Sequence, residues 1–191
     1  MRLLAAEPGS FVSVEALDDV AQVGPAGNTT LEQTKSVGKT TNPIADRSPE
    51  LWKTLANWVR AVKNGTVDAS RTHFEIFVSR RRRGAIAESF DQAKTAAEAS
   101  GALSAAKAML TPVGKSGKRR KLPAGLAPHV QYVLREQVTT AQILPRLTLV
   151  FGIGKSASAL GDALRTKLIS ADVVDVVANR CLAGLSRRSI R

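Results

Sequence analysis

The chain has 191 residues, 43% of them hydrophobic, and sets 28 lysines and arginines against 16 acids, a formal net charge of +12. That balance excludes a disordered chain, gives one domain with a real core and favours a polyanionic partner, nucleic acid before any other. A single cysteine, Cys181, excludes an intrachain disulfide and a cysteine-rich zinc site; no apolar run reaches the ~18 residues of a membrane span, and the opening residues are too few for a secretory signal, so a cytoplasmic location is expected.

Residues 1–7 read as the last turns of a helix stopped by Pro8-Gly9. No N-cap precedes them, so the chain is expected to begin inside an element. Residues 11–15 alternate apolar and polar as a strand does, residues 20–23 are short and β-branched, and residues 29–37 make a third strand. Gly24, Pro25, Gly27 and Asn28 punctuate a hairpin between the second and third. After an irregular stretch, Ser48 suits a helix N-cap and Pro49 a first helical position. Leu51, Trp52, Leu55, Trp58, Val59 and Val62 follow at helical spacing, and Asn64-Gly65 ends the run. Packing, not base stacking, is the expected role of both tryptophans.

Residues 72–79 form the clearest strand, and it runs straight into Arg80, Arg81, Arg82 and Arg83. Four arginines are too costly to bury, so the run is exposed, either on a phosphate backbone or simply solvated. The pattern then turns helical, over residues 85–99 and 103–110. Residues 111–123 form a loop whose Lys115, Lys118, Arg119, Arg120 and Lys121 make a second candidate phosphate patch. A helix over 126–138, a strand over 143–153 and helices over 156–169 and 171–185 complete the chain, with Arg187, Arg188 and Arg191 in the tail. Cys181 falls in an apolar helical pattern and reads as packing. The fold class is α/β in a single domain, residues 1–191: a core over 1–80 and a mainly helical continuation over 81–191 with one further strand.

One constellation carries chemistry. Asp18 and Asp19 follow the first strand, and Gln33 and Lys35, two apart on the third, project from one face. Phosphodiester hydrolysis needs a cation to hold and acidify a water, and magnesium takes hard oxygens, commonly one or two carboxylates with several waters. Asp19 can supply the carboxylate, with Asp18 its rival; Gln33 can supply a neutral oxygen or orient the water; Lys35 can stabilise charge on the phosphate. As isolated residues these are weak signals: Asp18 can be a turn residue and Lys35 a surface lysine. His73 and His129 are not spaced for a metal. Gly152-Ile153-Gly154-Lys155-Ser156 lacks the leading glycine of a phosphate loop and reads as a strand-to-helix turn.

The segments Glu15-Ala16-Leu17-Asp18-Asp19-Val20, Leu31-Glu32-Gln33-Thr34-Lys35 and Leu51-Trp52-Lys53-Thr54-Leu55-Ala56-Asn57-Trp58 together resemble the N-terminal double-stranded-DNA nuclease domain of bacterial anti-phage effectors, of the CD-NTase-associated and ABC-three-component types. The resemblance spans about residues 11–80 and implies a PD-(D/E)xK, restriction-endonuclease-like core: helix, three strands, helix, strand. It implies that Asp19 is the metal-binding aspartate, for Mg2+ (or Mn2+), that Gln33 takes a place often held by an acid, and that Lys35 is the motif lysine; Glu15 falls in the matched stretch without an assigned part. Such domains open on a full helix that can carry another glutamate. Here only residues 1–7 stand in its place, and Glu7 lies too near the proline stop for that role. The expected partners are double-stranded DNA, held at Arg80–Arg83 and at Lys118, Arg119, Arg120 and Lys121 with weak sequence preference, and either a second copy of the chain or a sensor domain not contained in it. The alternative is a catalytically incomplete nucleic-acid-binding or assembly subunit with the same fold.

Overall fold

A computed structural model describes residues 9–16, 19–38, 40–112 and 121–152. Its centre is a five-stranded mixed sheet in the order β1-β2-β3-β4-β5. The strands are β1 (Phe11–Ala16), β2 (Asp19–Val23), β3 (Thr29–Lys35), β4 (Thr72–Val78) and β5 (Leu147–Phe151). β1, β2 and β3 are antiparallel neighbours, whereas β4 runs parallel to β3, and β5 to β4. The β2–β3 hairpin closes where the sequence places its turn residues: the Gly24 N–H donates to Asn28 O at 2.8 Å, and Gly27 takes the positive φ of 74° that a side chain would resist. The β3–β4 crossover is made by α1 (Pro49–Lys63).

Alternation fixes the buried face. On β4, Phe74, Ile76 and Val78 are buried, while His73 is exposed. Against that row lies the apolar stripe of α1, whose Leu51, Trp52, Leu55, Trp58 and Val59 are all buried. Trp58 packs on Phe74 with ring centroids 5.2 Å apart, and Trp52 meets Phe90 edge-on at 6.0 Å. Each such side chain removed from water contributes about 1.5–3 kcal/mol, so both tryptophans are core residues, as their spacing predicts. The indole N–H of Trp52 is satisfied by Asp46 O at 2.8 Å.

Beyond β4 the helices are cut differently from the sequence expectation. The stretch 85–99 is not one helix: α2 (Ala85–Gln92) stops, and α3 (Ala96–Leu110) starts afresh and passes through Gly101 without a break. Two interactions make the cut. Thr95 and Glu98 form a reciprocal capping box that begins α3, and the Asp91 carboxylate accepts the Leu149 N–H of β5 at 2.9 Å. The expected helix over 126–138 is also two, α4 (Ala127–Arg135) and α5 (Gln137–Ile143), pivoting at Glu136. There Thr140 Oγ1 donates to Val133 O, and Lys63 Nζ bonds Glu136 at 2.7 Å. Residues 144–146 are a 3-10 turn holding Pro145 and not strand, so β5 begins only at Leu147. β3 ends at Lys35 and not at Val37, whose N–H is taken instead by Ser79 Oγ at 2.9 Å. The expected helices over 1–7, 156–169 and 171–185, and Cys181, lie outside the described residues. Among the described residues no helix is long and apolar enough to cross a membrane.

Candidate functional site

Because β3 and β4 are parallel, their carboxyl ends finish level, with Lys35 beside Val78. In open α/β sheets that edge is where ligands meet the fold. Along the core-facing row of β3 the side chains change character toward this edge. Leu31 is buried in the core, Gln33 is half-buried, and Lys35 is buried as well. An ammonium removed from water needs an anion, and Lys35 Nζ donates to Glu50 Oε2 at 3.2 Å. Glu50 stands in the first turn of α1, just after Pro49, where the helix dipole favours an acid. The pair is lopsided: the Lys35 side chain is 10% exposed and the Glu50 side chain 59%. Lys35 is therefore fixed from beneath by the sheet, while its carboxylate partner faces solvent.

These two residues line an open pocket of about 840 Å³. Gln33 and Lys35 form one side; Glu50, Lys53 and Asn57, one turn apart on α1, form another; Thr41, Asn42 and Arg47 close it. Lys35, Arg47 and Lys53 face one carboxylate, so the lining is cationic and suits an anion. Arg47 is itself tied down, donating to Leu110 O at 3.3 Å and to Lys121 O at 2.9 Å. Lys121, exposed, thus stands near the pocket rim. The remaining members of that expected patch, Lys115, Lys118, Arg119 and Arg120, lie outside the described residues.

Asp19 opens β2, and the pairing of Val20 with Glu32 sets its backbone next to Gln33 at the Lys35 end of the sheet. Strand spacings leave roughly 8 Å between the backbones of residues 19 and 35. Asp18 lies outside the described residues. The arginine run starts from the same edge: the Ser79 N–H donates to Lys35 O at 3.0 Å. Arg80, Arg81 and Arg83 are exposed and Arg82 is half-buried. Arg81 lies 5.6 Å over the Phe151 ring, and the Arg83 carbonyl accepts from Asn42 Nδ2 at 2.7 Å. Asn42 thereby couples the pocket wall to the run. His73 is near the far, amino end of β4, away from Lys35.

Sequence reasoning missed Glu50, Asn42 and Arg47. Glu50 had a readable place, the acid of a first helical turn, but that position is so commonly filled for the dipole alone that nothing marked it as Lys35's partner.

The donors at this edge suit only some divalent cations. Glu50 and the Gln33 carbonyl are hard oxygen donors on the pocket wall, and Asp19 belongs to the same sheet end. Among the described residues no three His, Cys, Asp or Glu side chains converge. A soft or fully protein-ligated metal does not fit such a set. Magnesium and manganese, which keep several waters, ask the fewest protein oxygens of a site, but the one carboxylate on this pocket wall is already paired with Lys35. No family model matches the chain, and no curated protein or solved structure matches it.

Proposed function

We propose that this chain is a metal-dependent double-stranded DNA endonuclease domain of the anti-phage type, with a restriction-endonuclease-like core, acting in the cytoplasm. One observation carries the reading: a buried lysine at the floor of a cationic pocket, on the sheet edge from which an exposed arginine run departs. Asp19 and Gln33, with Asp18 next in the chain, would hold Mg2+ or Mn2+. When bound, the cation would supply an acidified water and neutralise phosphate charge. Lys35 donates to the non-bridging oxygen on which charge develops, a role suited to an ammonium already desolvated and pre-aimed. Gln33 orients the attacking water through its amide. Lys53 on the pocket wall, Arg80–Arg83 and the Lys118–Lys121 patch bear on the duplex backbone. Phosphate contacts of this kind position a duplex without reading bases, so cleavage should show little sequence preference.

The deciding experiment is nicking of supercoiled plasmid by the full chain with magnesium or with EDTA. Lys35→Ala should abolish nicking while duplex affinity, measured by filter binding, stays close to that of the wild type. Undiminished nicking by the variant refutes the role given to Lys35. A second reading is favoured by one feature, the neutral Gln33 at a position the resemblance usually fills with an acid: a nucleic-acid-binding or assembly subunit without cleavage. It predicts salt-sensitive DNA binding, no magnesium-dependent nicking and indifference to Lys35→Ala.

A further inference from the structure

We infer that the pocket at the end of β3 is an anion site that takes a phosphate monoester without a metal ion, the ligand displacing Glu50 from Lys35; it goes beyond both readings above and needs neither. Charge decides the class of ligand. Lys35, Arg47 and Lys53 line the pocket against Glu50 alone, which leaves two positive charges over. A backbone diester brings one negative charge, whereas a phosphate monoester brings about 1.5–2 at neutral pH and so balances the lining. The helix acts in the same direction. Ser48, Pro49 and Glu50 bring the amino end of the 15-residue α1 to the pocket wall, and such an end favours an anion. Pro49 has no N–H to offer. Ser48 stands at the N-cap and is only 9% exposed, yet it makes no side-chain capping bond, so a hydroxyl donor on the wall is not committed to the helix.

Glu50 holds the place of the ligand. The Lys35 side chain is 10% exposed, so an anion must come to it, at the position of Glu50 Oε2, 3.2 Å from Nζ. Glu50 can yield that position. Its side chain is 59% exposed, a half-solvated ion pair adds little stability, and the apolar face of α1 is held by Trp52 and Leu55 without it. A phosphate oxygen in its place keeps the buried ammonium paired, so the exchange leaves no orphan charge. Arg47 is already fixed by the Leu110 and Lys121 carbonyls, and Lys35 by its burial, so little ordering remains to oppose binding. The volume, about 840 Å³, is that of a small-molecule site. A free mononucleotide and the phosphorylated end of a strand present the same group.

The test is isothermal titration of the full chain with inorganic phosphate, in EDTA and at low salt. Glu50→Gln keeps the shape and removes the competing carboxylate, and should lower the Kd by about two- to fivefold. Lys35→Ala should raise it by about tenfold or more. Thermal melts with and without phosphate confirm that both variants fold, and the rise in Tm on adding phosphate should be larger for Glu50→Gln than for wild type. A wild-type chain that binds no phosphate in EDTA, or a Glu50→Gln chain that binds it no more tightly than wild type, overturns the inference. Two short single strands, alike but for a 5′-phosphate or a 5′-hydroxyl, identify the source. A preference of about tenfold for the phosphorylated strand assigns the pocket to a strand end; equal binding of the two, while phosphate still binds, assigns it to a free phosphate monoester. A chain that fails these tests yet nicks plasmid with magnesium keeps the endonuclease reading and loses only the anion site. Phosphate binding without nicking does the reverse.

Discussion

Gly84→Ala should unfold this protein more easily, against the usual sign of that substitution. Gly84 has φ −153°, a backbone that any residue adopts, so alanine would ordinarily stabilise by about 0.4–1 kcal/mol through the unfolded state. Here a Cβ would stand 1.8 Å from Ile44 O and 2.9 Å from Ile44 C, both backbone atoms. Reaching an ordinary carbon–oxygen approach of about 3.3 Å requires the two segments to part by roughly 1.5 Å. They are pinned together by Asn42 Nδ2 on Arg83 O at 2.7 Å and by the Ile86 N–H on Asp46 Oδ1 at 2.8 Å. Overpacking costs about 1–3 kcal/mol, and weakening two hydrogen bonds adds about 1 kcal/mol each. Set against the gain in the unfolded chain, the net loss is about 2–4 kcal/mol. For a chain of this size that lowers Tm by roughly 5–15 °C. Urea and thermal unfolding of the two proteins measure it directly. An alanine variant as stable as the parent, or more so, would refute the claim that these backbones are locked in contact.

Three further outcomes are expected. Lys63 beside Glu136 holds that carboxyl below its ordinary value of 4.5, and the N–H groups of Lys94 and Thr95 do the same for Glu98. A depressed folded-state value means the stabilisation is complete above the unfolded value and lost as pH falls through the folded one. Stability should therefore drop on acidification below about pH 4.5, and Glu136→Gln should flatten that slope in thermal melts taken across the acid range. Thr95→Ala removes the side-chain half of the α3 capping box and should cost about 1 kcal/mol in urea unfolding, with Thr95→Ser nearly neutral. Replacing both Arg81 and Arg83 by alanine should reduce the slope of log affinity for duplex DNA against log salt by about 0.9 for every phosphate no longer neutralised; an unchanged slope would mark the run as merely solvated.

What could be read in advance follows the range of the forces involved. The β3–α1–β4 unit was legible because period-2 and period-3.6 apolar patterns are local, and because Ser48-Pro49 and Asn64-Gly65 bracket the helix; Ser48 nevertheless makes no side-chain capping bond. The break at residues 93–95 was hidden by alanine. Ala93 and Ala96 propagate a helix equally well, and what stops it is Asp91 reaching β5, 58 residues on. The one local signal of a fresh start there was the spacing of Thr95 and Glu98. At the site, Gln33 and Lys35 follow from strand alternation, but Glu50 does not: its place over Lys35 depends on how a helix lies across a sheet, which no spacing rule encodes.

The bond from the Ser79 amide to the Lys35 carbonyl has a mechanical consequence. It yokes the strand that carries the amine to the strand that leads into the guanidinium run, so the two cannot slip past each other by a residue without breaking the ladder. The point where the run leaves the sheet is thereby held at a constant offset from Lys35, set by backbone. Any pull on the run would pass first into β4, inside the sheet, where Phe74 packs on Trp58 of α1.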